Sequence, residues 1–332
     1  MVLFSNIQKW NHGIGVNDLF SQKNMIIIMT MKNMLIAGAT GFLARNISAY
    51  FSECGWNVSG LARHKEGLHS SCQFIPWDGV SIGDWVSAIE ECNVLINMVG
   101  RSINCRHNKE NKRQILNSRI QSTKLLADAV AKSVSPPSLW INGSATGIYK
   151  NSYAMPYNES GEQGDGFIAD VVKQWEVAFF EADIPENVRR VALRTSVVLA
   201  DTEGNPYRYL YTLARFGLGG KVGNGQQMVS WVHLDDVARV VEHIINNHDL
   251  DGPINMATSD ALSNAEMMRR FRKHLGMPIG LPAPAFAVRL GTFILGTAPE
   301  LVLDSCWAAP EKLLASGFVF QKPTLELDKW NE

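Results

Sequence analysis

The sequence predicts an α/β fold with a doubly wound, mostly parallel sheet. Two observations lead to this prediction. From Met34 onwards, short apolar runs of strand length alternate with longer segments of helical periodicity. The first of these runs also leads directly into a glycine turn that opens a helix, as at the start of dinucleotide-binding βαβ units. We therefore expect a Rossmann-type sheet with helices on both faces.

The predicted elements follow the chain in regular alternation. Each strand is a short apolar run between turn-forming residues. The longest helix has one broad apolar face and ends before Ser135-Pro136-Pro137. Strands are predicted over Met34–Ala37, Asn57–Leu61, Gln73–Ile75, Val94–Asn97, Leu139–Asn142, Arg190–Leu199 and Ile254–Ala257. Helices are predicted over Arg45–Cys54, Ile82–Glu90, Lys109–Lys132, Phe167–Ala182 and Asp235–Asn246.

The pattern changes beyond the sixth strand. Glycine and polar residues dominate residues 200–230, and no regular element is predicted there. From Ser263 the chain is expected to be helical, with a proline-rich joint at residues 281–284. Residues 1–33 precede the first strand and are predicted to be a poorly ordered N-terminal extension.

The composition is that of an ordinary globular protein and excludes several function classes. Of 332 residues, 46% are hydrophobic and 19% are charged, and the net charge is −1. Such a balance offers no electrostatic footprint for nucleic acid or an anionic membrane. The five cysteines lack metal-ligand spacing and are typical of a reducing compartment, and no apolar run reaches membrane-spanning length. We therefore expect a cytoplasmic protein, either a monomer or a homodimer, with no metal, nucleic-acid or membrane partner.

The segment Met34–Ala44 carries the most specific motif. Gly38 allows a tight turn, and Gly41 removes a side chain where a pyrophosphate would approach the backbone. Ala44 stands where helix and strand pack closely, and the helix N-terminus offers N–H groups to phosphate. The residues predicted to bind a dinucleotide here are Gly38, Thr40, Gly41, Phe42 and Leu43.

The end of the second strand distinguishes NAD from NADP. An acidic residue about 20 positions after the glycines would hold the ribose 2′-hydroxyl of NAD, whereas arginine accommodates a 2′-phosphate. The chain has Arg63 and Lys65 here and no acid before Glu66, which favours NADP. The alternative is a solvated basic loop. Asp78, after the third strand, is predicted either to accept from the adenine amino group or to form a turn.

The next two strands end at the same edge of the sheet. Met98, Val99 and Gly100 follow the fourth strand and are expected to lie beside the cofactor. Ser144 follows the fifth strand on the expected nicotinamide side, where its hydroxyl could stabilise a substrate carbonyl. The alternative for Ser144 is a capping role at the strand end.

Several short stretches, together with the G-x-x-G-x-x-A turn, share a further pattern. They lie at residues 38–42, 117–119, 144–149, 175–176, 194–199, 217–220, 230–236 and 310–318. The chain thereby resembles the epimerase-family proteins of the atypical extended short-chain dehydrogenase/reductase group, some of which are labelled cell division inhibitors. The resemblance covers Met34 to Glu326 and includes that family's own C-terminal domain. It implies NADP binding, with further contacts at Arg63, Met98, Val99, Arg119 and Val197.

The sequence lacks the catalytic residue pair that most proteins of this group use. Most extended members use a Tyr-x-x-x-Lys pair, in which lysine lowers the pKa of the tyrosine. No lysine of this chain has a tyrosine four residues before it. On the helix expected to carry the pair, counting back from Glu176 reaches Val172 and Ile168. Arg119 stands where extended members usually hold asparagine.

Three residues remain as catalytic candidates. Ser144 is retained from the family pattern, Tyr149 lies on the turn after it, and His233 lies in a segment that borders the substrate pocket in extended members. Histidine is a natural proton carrier near neutral pH. The alternative for Tyr149 and His233 is packing and internal hydrogen bonding.

These observations predict two domains and two possible functions. A Rossmann domain over residues 34–257 would bind NADP, and a C-terminal domain over residues 258–326, joined by residues 200–230, would form the substrate side. The leading hypothesis is an NADP(H)-dependent oxidoreductase or epimerase-like enzyme acting on an unknown small molecule. The alternative is a catalytically inactive NADP-binding sensor or regulatory protein.

Overall fold

The computed structural model describes residues 32–330, and its centre is a parallel sheet of seven strands. The strand order is β10-β6-β5-β4-β1-β2-β3, and every pairing in this sheet is parallel. The seven strands are β1 (Asn33–Ala37), β2 (Asn57–Ala62), β3 (Gln73–Pro76), β4 (Val94–Asn97), β5 (Leu139–Ala145), β6 (Arg189–Thr195) and β10 (Gly252–Met256). The order reverses between β1 and β4, so the crevice typical of doubly wound folds opens there. The predicted Rossmann-type fold is confirmed.

Helices cover both faces of the sheet. They are α1 (Phe42–Glu53), α2 (Ser87–Glu91), α3 (Lys109–Lys132), α4 (Phe167–Phe180), α5 (Pro206–Arg215), α6 (Leu234–Asn246), α7 (Asn264–His274), α8 (Ala285–Leu295), α9 (Glu300–Leu303) and α10 (Glu311–Ala315). Alternate residues of β1 enter opposite cores, as the two-residue period of a strand requires. Ile36 packs with α1 and α6, whereas Leu35 packs with α2, α3 and α4.

The prediction of one continuous sixth strand over Arg190–Leu199 is wrong. The structure divides it into β6 and β7 (Val197–Leu199), which belong to different sheets. Ser196 marks the break, because both its backbone N–H and its hydroxyl donate to the Met256 carbonyl, where the neighbouring strand β10 ends. Beyond this point the chain pairs instead with β9 (Trp231–His233).

Other boundaries differ locally. Helix α1 begins at Phe42 rather than Arg45, so the glycine turn leads into it without a linker. The predicted helix over Ile82–Glu90 begins as a 3₁₀ turn at Asp84–Val86 and becomes α-helical at Ser87. Helix α5 lies within residues 200–230, where no element was predicted, and has Asn205 as its N-cap and Pro206 at its start.

A smaller core lies beside the sheet. Strand β8 (Met228–Val229) pairs with β11 (Leu262–Ser263), and helices α5 and α7 pack together through Tyr207 and Phe271. The proposed division at residue 257 stays a prediction. Residues 1–31 of the predicted N-terminal extension lie outside the described residues, and β1 begins at Asn33. Within residues 32–330, no helix is long and apolar enough to span a membrane.

Candidate functional site

The glycine turn after β1 is held against the chain that follows β4. Gly38 has φ +75°, a conformation that favours glycine. A Cβ at Gly38 would lie 3.1 Å from the Val99 nitrogen and 3.2 Å from the Met98 oxygen. The Gly38 N–H also donates to the Leu61 carbonyl at 3.0 Å, which fixes the turn to the end of β2. The structure therefore brings together the predicted cofactor residues that follow β1, β2 and β4.

The N-terminus of α1 has the properties of an anion site. Its N-cap is Gly41, which supplies no side-chain cap, and its first turn contains no acidic residue. The first N–H groups of a helix lack partners within the helix and carry partial positive charge. Thr40 is exposed, and Phe42 and Leu43 are half-buried around this end. A pyrophosphate could accept hydrogen bonds here without displacing a protein side chain.

The segment after β2 is basic and open. Arg63 and Lys65 are both exposed, directly after the strand that accepts hydrogen bonds from the glycine turn. Close packing fixes this strand end, because a Cβ at Gly60 would lie 2.6 Å from the Ala39 Cβ. Two exposed cations therefore follow this strand end, and neither has a described ion pair.

Asp78 is engaged in a turn of its own. Its carboxylate accepts from the backbone N–H groups of Val80 and Ser81 at 2.8 and 2.9 Å, and from the Ser81 hydroxyl. The hydrogen bonds from Ser81 and Val80 lower the pKa of the Asp78 carboxyl to about 2. This geometry matches the alternative prediction, in which Asp78 forms a turn. Contact between Asp78 and adenine stays a prediction.

A buried amide cluster joins the ends of β4 and β5. Asn97 and Asn142 are register partners on these strands, and Asn97 Nδ2 donates to Asn142 Oδ1 at 2.7 Å. Asn97 Oδ1 accepts from the Val99 N–H at 3.1 Å. Thr123 of α3 accepts from both Asn97 and the Trp175 indole. This cluster positions the chain at Val99, and sequence reasoning missed it, although the matching Asn at the end of two neighbouring strands was a usable signal.

Arg119 is a half-buried cation at the same edge. Its guanidinium donates to the carbonyls of Arg101 and Ile115, both at 3.0 Å, and lies 5.1 Å from the Trp175 ring centre. A Cβ at Gly100 would lie 3.0 Å from its Cζ. Burial lowers the pKa of Arg119 to about 10, and its described partners include no carboxylate. Its charge therefore remains available to an anionic or electron-rich ligand.

Ser144 donates its hydroxyl to a buried ion pair. Ser144 Oγ lies 2.6 Å from Glu176 Oε1. The same carboxylate receives two hydrogen bonds from Arg194, at 2.8 Å from Nε and 2.7 Å from Nη2. Burial opposes the charge of Arg194, but the Glu176 carboxylate more than offsets it, so the pKa of Arg194 lies above its ordinary value. The Ser144 hydroxyl is thus buried between β5, which carries it, and α4, which carries Glu176.

Tyr149 belongs to the same network. Its hydroxyl accepts from Arg194 Nη1 and donates to Asn255 Oδ1, each at 2.7 Å. Asn255 is held in turn by Glu159, which accepts from its backbone N–H at 3.1 Å. Burial raises the pKa of Tyr149, although Arg194 acts against the shift. The structure thus brings Ser144 and Tyr149 together through Arg194 and Glu176, which sequence reasoning did not identify as partners.

His233 has a different setting. Its Nδ1 accepts from the Asp235 N–H at 3.2 Å, which caps helix α6. Its ring packs edge-on against Trp330 with centres 4.6 Å apart. These contacts match the alternative prediction, in which His233 packs and forms hydrogen bonds inside the protein. A catalytic role for His233 stays a prediction. Val197 is exposed in β7, just past the point where the chain leaves the main sheet.

Helix α4 presents apolar side chains at the two positions to which the resemblance assigned a Tyr-x-x-x-Lys pair. Ile168 Cγ2 lies 2.8 Å from where a Cβ of Gly147 would be, and Val172 packs with Ile148 and Tyr149. The neighbouring Lys173 donates to the Gly164 carbonyl at 2.9 Å and pairs with Asp170. Among the described residues, no cluster of three or more His, Cys, Asp or Glu side chains could hold a metal ion.

Comparison with known proteins agrees with this architecture. Residues 34–166 match the NAD dependent epimerase/dehydratase family, and residues 283–327 match a domain of unknown function (DUF1731). The chain is 30% identical over 299 residues to epimerase family protein SH2119 of Staphylococcus haemolyticus, covering 90% of this chain and 97% of that protein. It is 29% identical over 299 residues to epimerase family protein SDR39U1 of Bos taurus, covering 88% and 96%.

A solved structure is also similar. The human epimerase family protein SDR39U1 (isoform 2), crystallised with NADPH, has a TM-score of 0.77 and 27% sequence identity, covering 89% of this chain and 96% of that one. The similarity extends across the Rossmann sheet and the C-terminal helices, and it confirms the resemblance found in the sequence motifs. This chain therefore belongs to the NAD dependent epimerase/dehydratase family.

Proposed function

We propose that the protein binds NADP(H) at the edge formed by β1, β2 and β4, and uses it in an oxidoreductase or epimerase-like reaction on a small molecule, with the oxidised form accepting a hydride and the reduced form donating one. The observation that carries the proposal is the uncapped N-terminus of α1 behind Gly38, beside the basic segment Arg63–Lys65. The presence of NADPH in the crystal structure of the human relative supports the same cofactor.

Each part of the cofactor has a matching group in the chain. The N–H groups around Gly41 would bind the pyrophosphate, because no protein side chain caps them. Arg63 and Lys65 would bind the 2′-phosphate. Met98, Val99 and Gly100 would border the nicotinamide side, with Arg119 beneath Gly100. When bound, NADPH supplies a hydride.

The chain's own residues would manage the proton and the developing charge. A carbonyl substrate needs a hydrogen-bond donor as negative charge forms on its oxygen. Ser144 and Tyr149 are the candidates, but both hydroxyls are already donated inside the protein, to Glu176 and Asn255. Either residue must exchange that internal bond for a bond to substrate, and the raised pKa of Tyr149 keeps its proton on the oxygen at neutral pH.

A second candidate function is an NADPH-binding protein without turnover. Ile168 and Val172 favour it, since they place apolar groups where a proton-transferring pair would be needed. The hydrogen bonds that join the sheet to the C-terminal segment, from Asn255 to the Ala309 carbonyl and from Lys312 to the Asp251 carbonyl, favour an enzyme. The two candidates share the cofactor site and differ only in chemistry.

The cofactor proposal is tested by titrating NADPH and NADH against the intrinsic tryptophan fluorescence. NADPH should bind more tightly than NADH, because only NADPH carries the 2′-phosphate that Arg63 would hold. Arg63→Ala should lose about 1.5–3 kcal/mol of NADPH binding and little of NADH binding. Arg215→Ala, on the exposed end of α5, is the matched control. Equal affinity of the native protein for the two cofactors would overturn the proposal.

A further inference from the structure

A cavity lies between the segment that follows β4 and the C-terminal helices α8 and α9. Its volume is about 410 Å³, within the range of small-molecule sites. The residues that line it and bear on its chemistry are Arg106, His107, Lys112, Arg289, Phe293 and Glu300. They come from two parts of the chain separated by more than half its length, so the cavity exists only in the folded protein.

The lining carries an excess of positive charge. Arg106, Lys112 and Arg289 are cations, and Glu300 is the single carboxylate among the lining residues. Glu300 is already hydrogen-bonded to His107, with 2.7 Å between Glu300 Oε1 and His107 Nδ1. None of the three cations is therefore paired with a carboxylate of the cavity lining.

The described contacts of these cations leave their charges unneutralised. Arg106 donates to the Phe293 carbonyl at 2.9 Å, and its Cζ lies 4.7 Å from the Phe293 ring centre. Lys112 Nζ lies 4.9 Å from the Phe167 ring centre. Within the described residues, the Arg289 side chain has no hydrogen bond or ion pair. A bound anion would supply the missing negative charge and accept charge-assisted hydrogen bonds from these groups.

The cavity adjoins the candidate catalytic edge. Phe167, the first residue of α4, packs against His107 with ring centres 5.0 Å apart. Its neighbour Ile168 contacts the turn at Gly147, directly after β5. A molecule anchored in the cavity by one end could therefore extend along α4 toward the residues that follow β5.

We propose that this cavity binds an anionic group, a phosphate or a carboxylate, of the small molecule on which the protein acts. The proposal rests on the proposed function for its link to NADPH, while the anion site itself stands on the cavity and its charges. The shared chemistry is a group with two or more anionic oxygens, which suits the forked guanidinium of Arg289 and the ammonium of Lys112.

The test titrates the protein, saturated with NADPH, with pyrophosphate and separately with malonate by calorimetry at low salt. Saturation with NADPH occupies the glycine turn, so that the anion must bind elsewhere. Lys112→Met and Arg289→Gln should each raise the Kd of the bound anion about tenfold, the loss expected for one charge-assisted hydrogen bond. The controls are Lys124→Met on the exposed side of α3 and Arg215→Gln on α5, which should change the Kd less than about twofold.

Comparison of the two anions distinguishes a phosphate ligand from a carboxylate ligand, and binding of either that weakens in Lys112→Met and Arg289→Gln supports the site. Absence of binding by both anions, or an affinity that these two variants change no more than the controls do, would overturn it. The NADPH affinity and the melting temperature of each variant report whether the fold is intact. A native protein that fails to bind NADPH contradicts the proposed function instead, and the same anion titration without cofactor then still tests the cavity through the same four variants.

Discussion

Arg194 and Glu176 form the most enclosed ion pair described at the candidate site. Their side chains are 4% and 10% exposed, and both oxygens of the carboxylate are occupied by the guanidinium and Ser144. A buried pair of this kind adds little net stability by itself, but removal of one partner leaves an uncompensated charge in a low dielectric. The pair therefore acts chiefly to hold Ser144 and Tyr149 in place.

Replacement of the arginine alone should be strongly destabilising. We expect Arg194→Met to lower the free energy of unfolding by about 3–5 kcal/mol, because Glu176 is left buried and unpaired. Urea unfolding measures the change. Arg113→Met is the matched control, since Arg113 pairs with Glu110 at the same 2.7 Å but with side chains 62% and 55% exposed, and should cost at most about 1 kcal/mol. Similar losses in the two variants would show that the inner pair is not isolated from solvent.

Tyr149 should remain protonated throughout the neutral range. Burial holds its pKa above the ordinary value of about 10, so the folded state resists its ionisation. We expect the tyrosinate absorbance of the native protein and of Tyr149→Phe to be the same below pH 10, and to differ when both are unfolded and titrated through that pH. Because the pKa is higher in the folded state, the stability linked to this group is complete below about pH 10 and is lost as the pH rises. A tyrosinate signal at pH 8–9 that disappears in Tyr149→Phe would instead support a role as a base.

At the scale of elements, the first βα unit explains most of the cofactor site. The turn at Gly38, the bare N-cap at Gly41 and the strand end at Leu61 are joined by backbone hydrogen bonds. Such local geometry follows from residues close in sequence, and the motif predicted it. The start of α1 at Phe42 brings the helix end closer to the turn than the predicted start at Arg45.

A negative charge introduced at the N-terminus of α1 should lower the NADPH affinity without lowering the thermal stability. Gly41 has an extended conformation that any residue can adopt, with φ −68° and ψ 155°, although a Cβ there would lie 3.1 Å from the Gly38 oxygen. Gly41→Ala introduces that Cβ alone, and Gly41→Asp adds a carboxylate. We expect Gly41→Asp to bind NADPH at least about tenfold more weakly than Gly41→Ala, because its carboxylate occupies the anion site.

The thermal midpoints of the two variants should show the opposite order. Aspartate caps a helix better than alanine, so Gly41→Asp should melt no lower than Gly41→Ala. NADPH affinity by fluorescence and melting by circular dichroism provide the two measurements. Equal NADPH affinities for the two variants would mean that the cofactor's phosphates do not lie at the N-terminus of α1.

At the scale of the whole molecule, the segment that follows β4 and the C-terminal helices border one cavity. Without a Tyr-x-x-x-Lys pair, we expect slow turnover or none on ordinary sugar nucleotides even with NADPH bound, since positioned proton transfer contributes about 10²–10⁴-fold. A panel of carbonyl and sugar-nucleotide substrates, followed by NADPH absorbance and product analysis, measures this. Fast turnover that survives both Ser144→Ala and Tyr149→Phe would place the chemistry on other residues.

The sheet, the glycine turn and the basic segment after β2 could all be predicted from the sequence alone. These features depend on backbone geometry, on alternation of apolar residues and on charge over short stretches, all of which are written locally in the chain. The positive φ of Gly38 and the exposed basic residue Arg63 could therefore be predicted, while their contacts with a cofactor stay a prediction. The break at Ser196 could not be predicted, because it depends on where the neighbouring strand β10 ends.

The contacts between side chains that are distant in sequence could not be predicted, because they depend on the tertiary structure. The Tyr149 hydroxyl reaches Arg194 and Asn255, and Arg106 reaches Phe293, a residue 187 positions away. No periodicity or motif connects such pairs, because their contact depends on strand order and on where the C-terminal helices pack. The sequence thus determined that a dinucleotide site exists, whereas the charges around Ser144 and the cationic cavity arise only when the sheet brings remote segments to one edge.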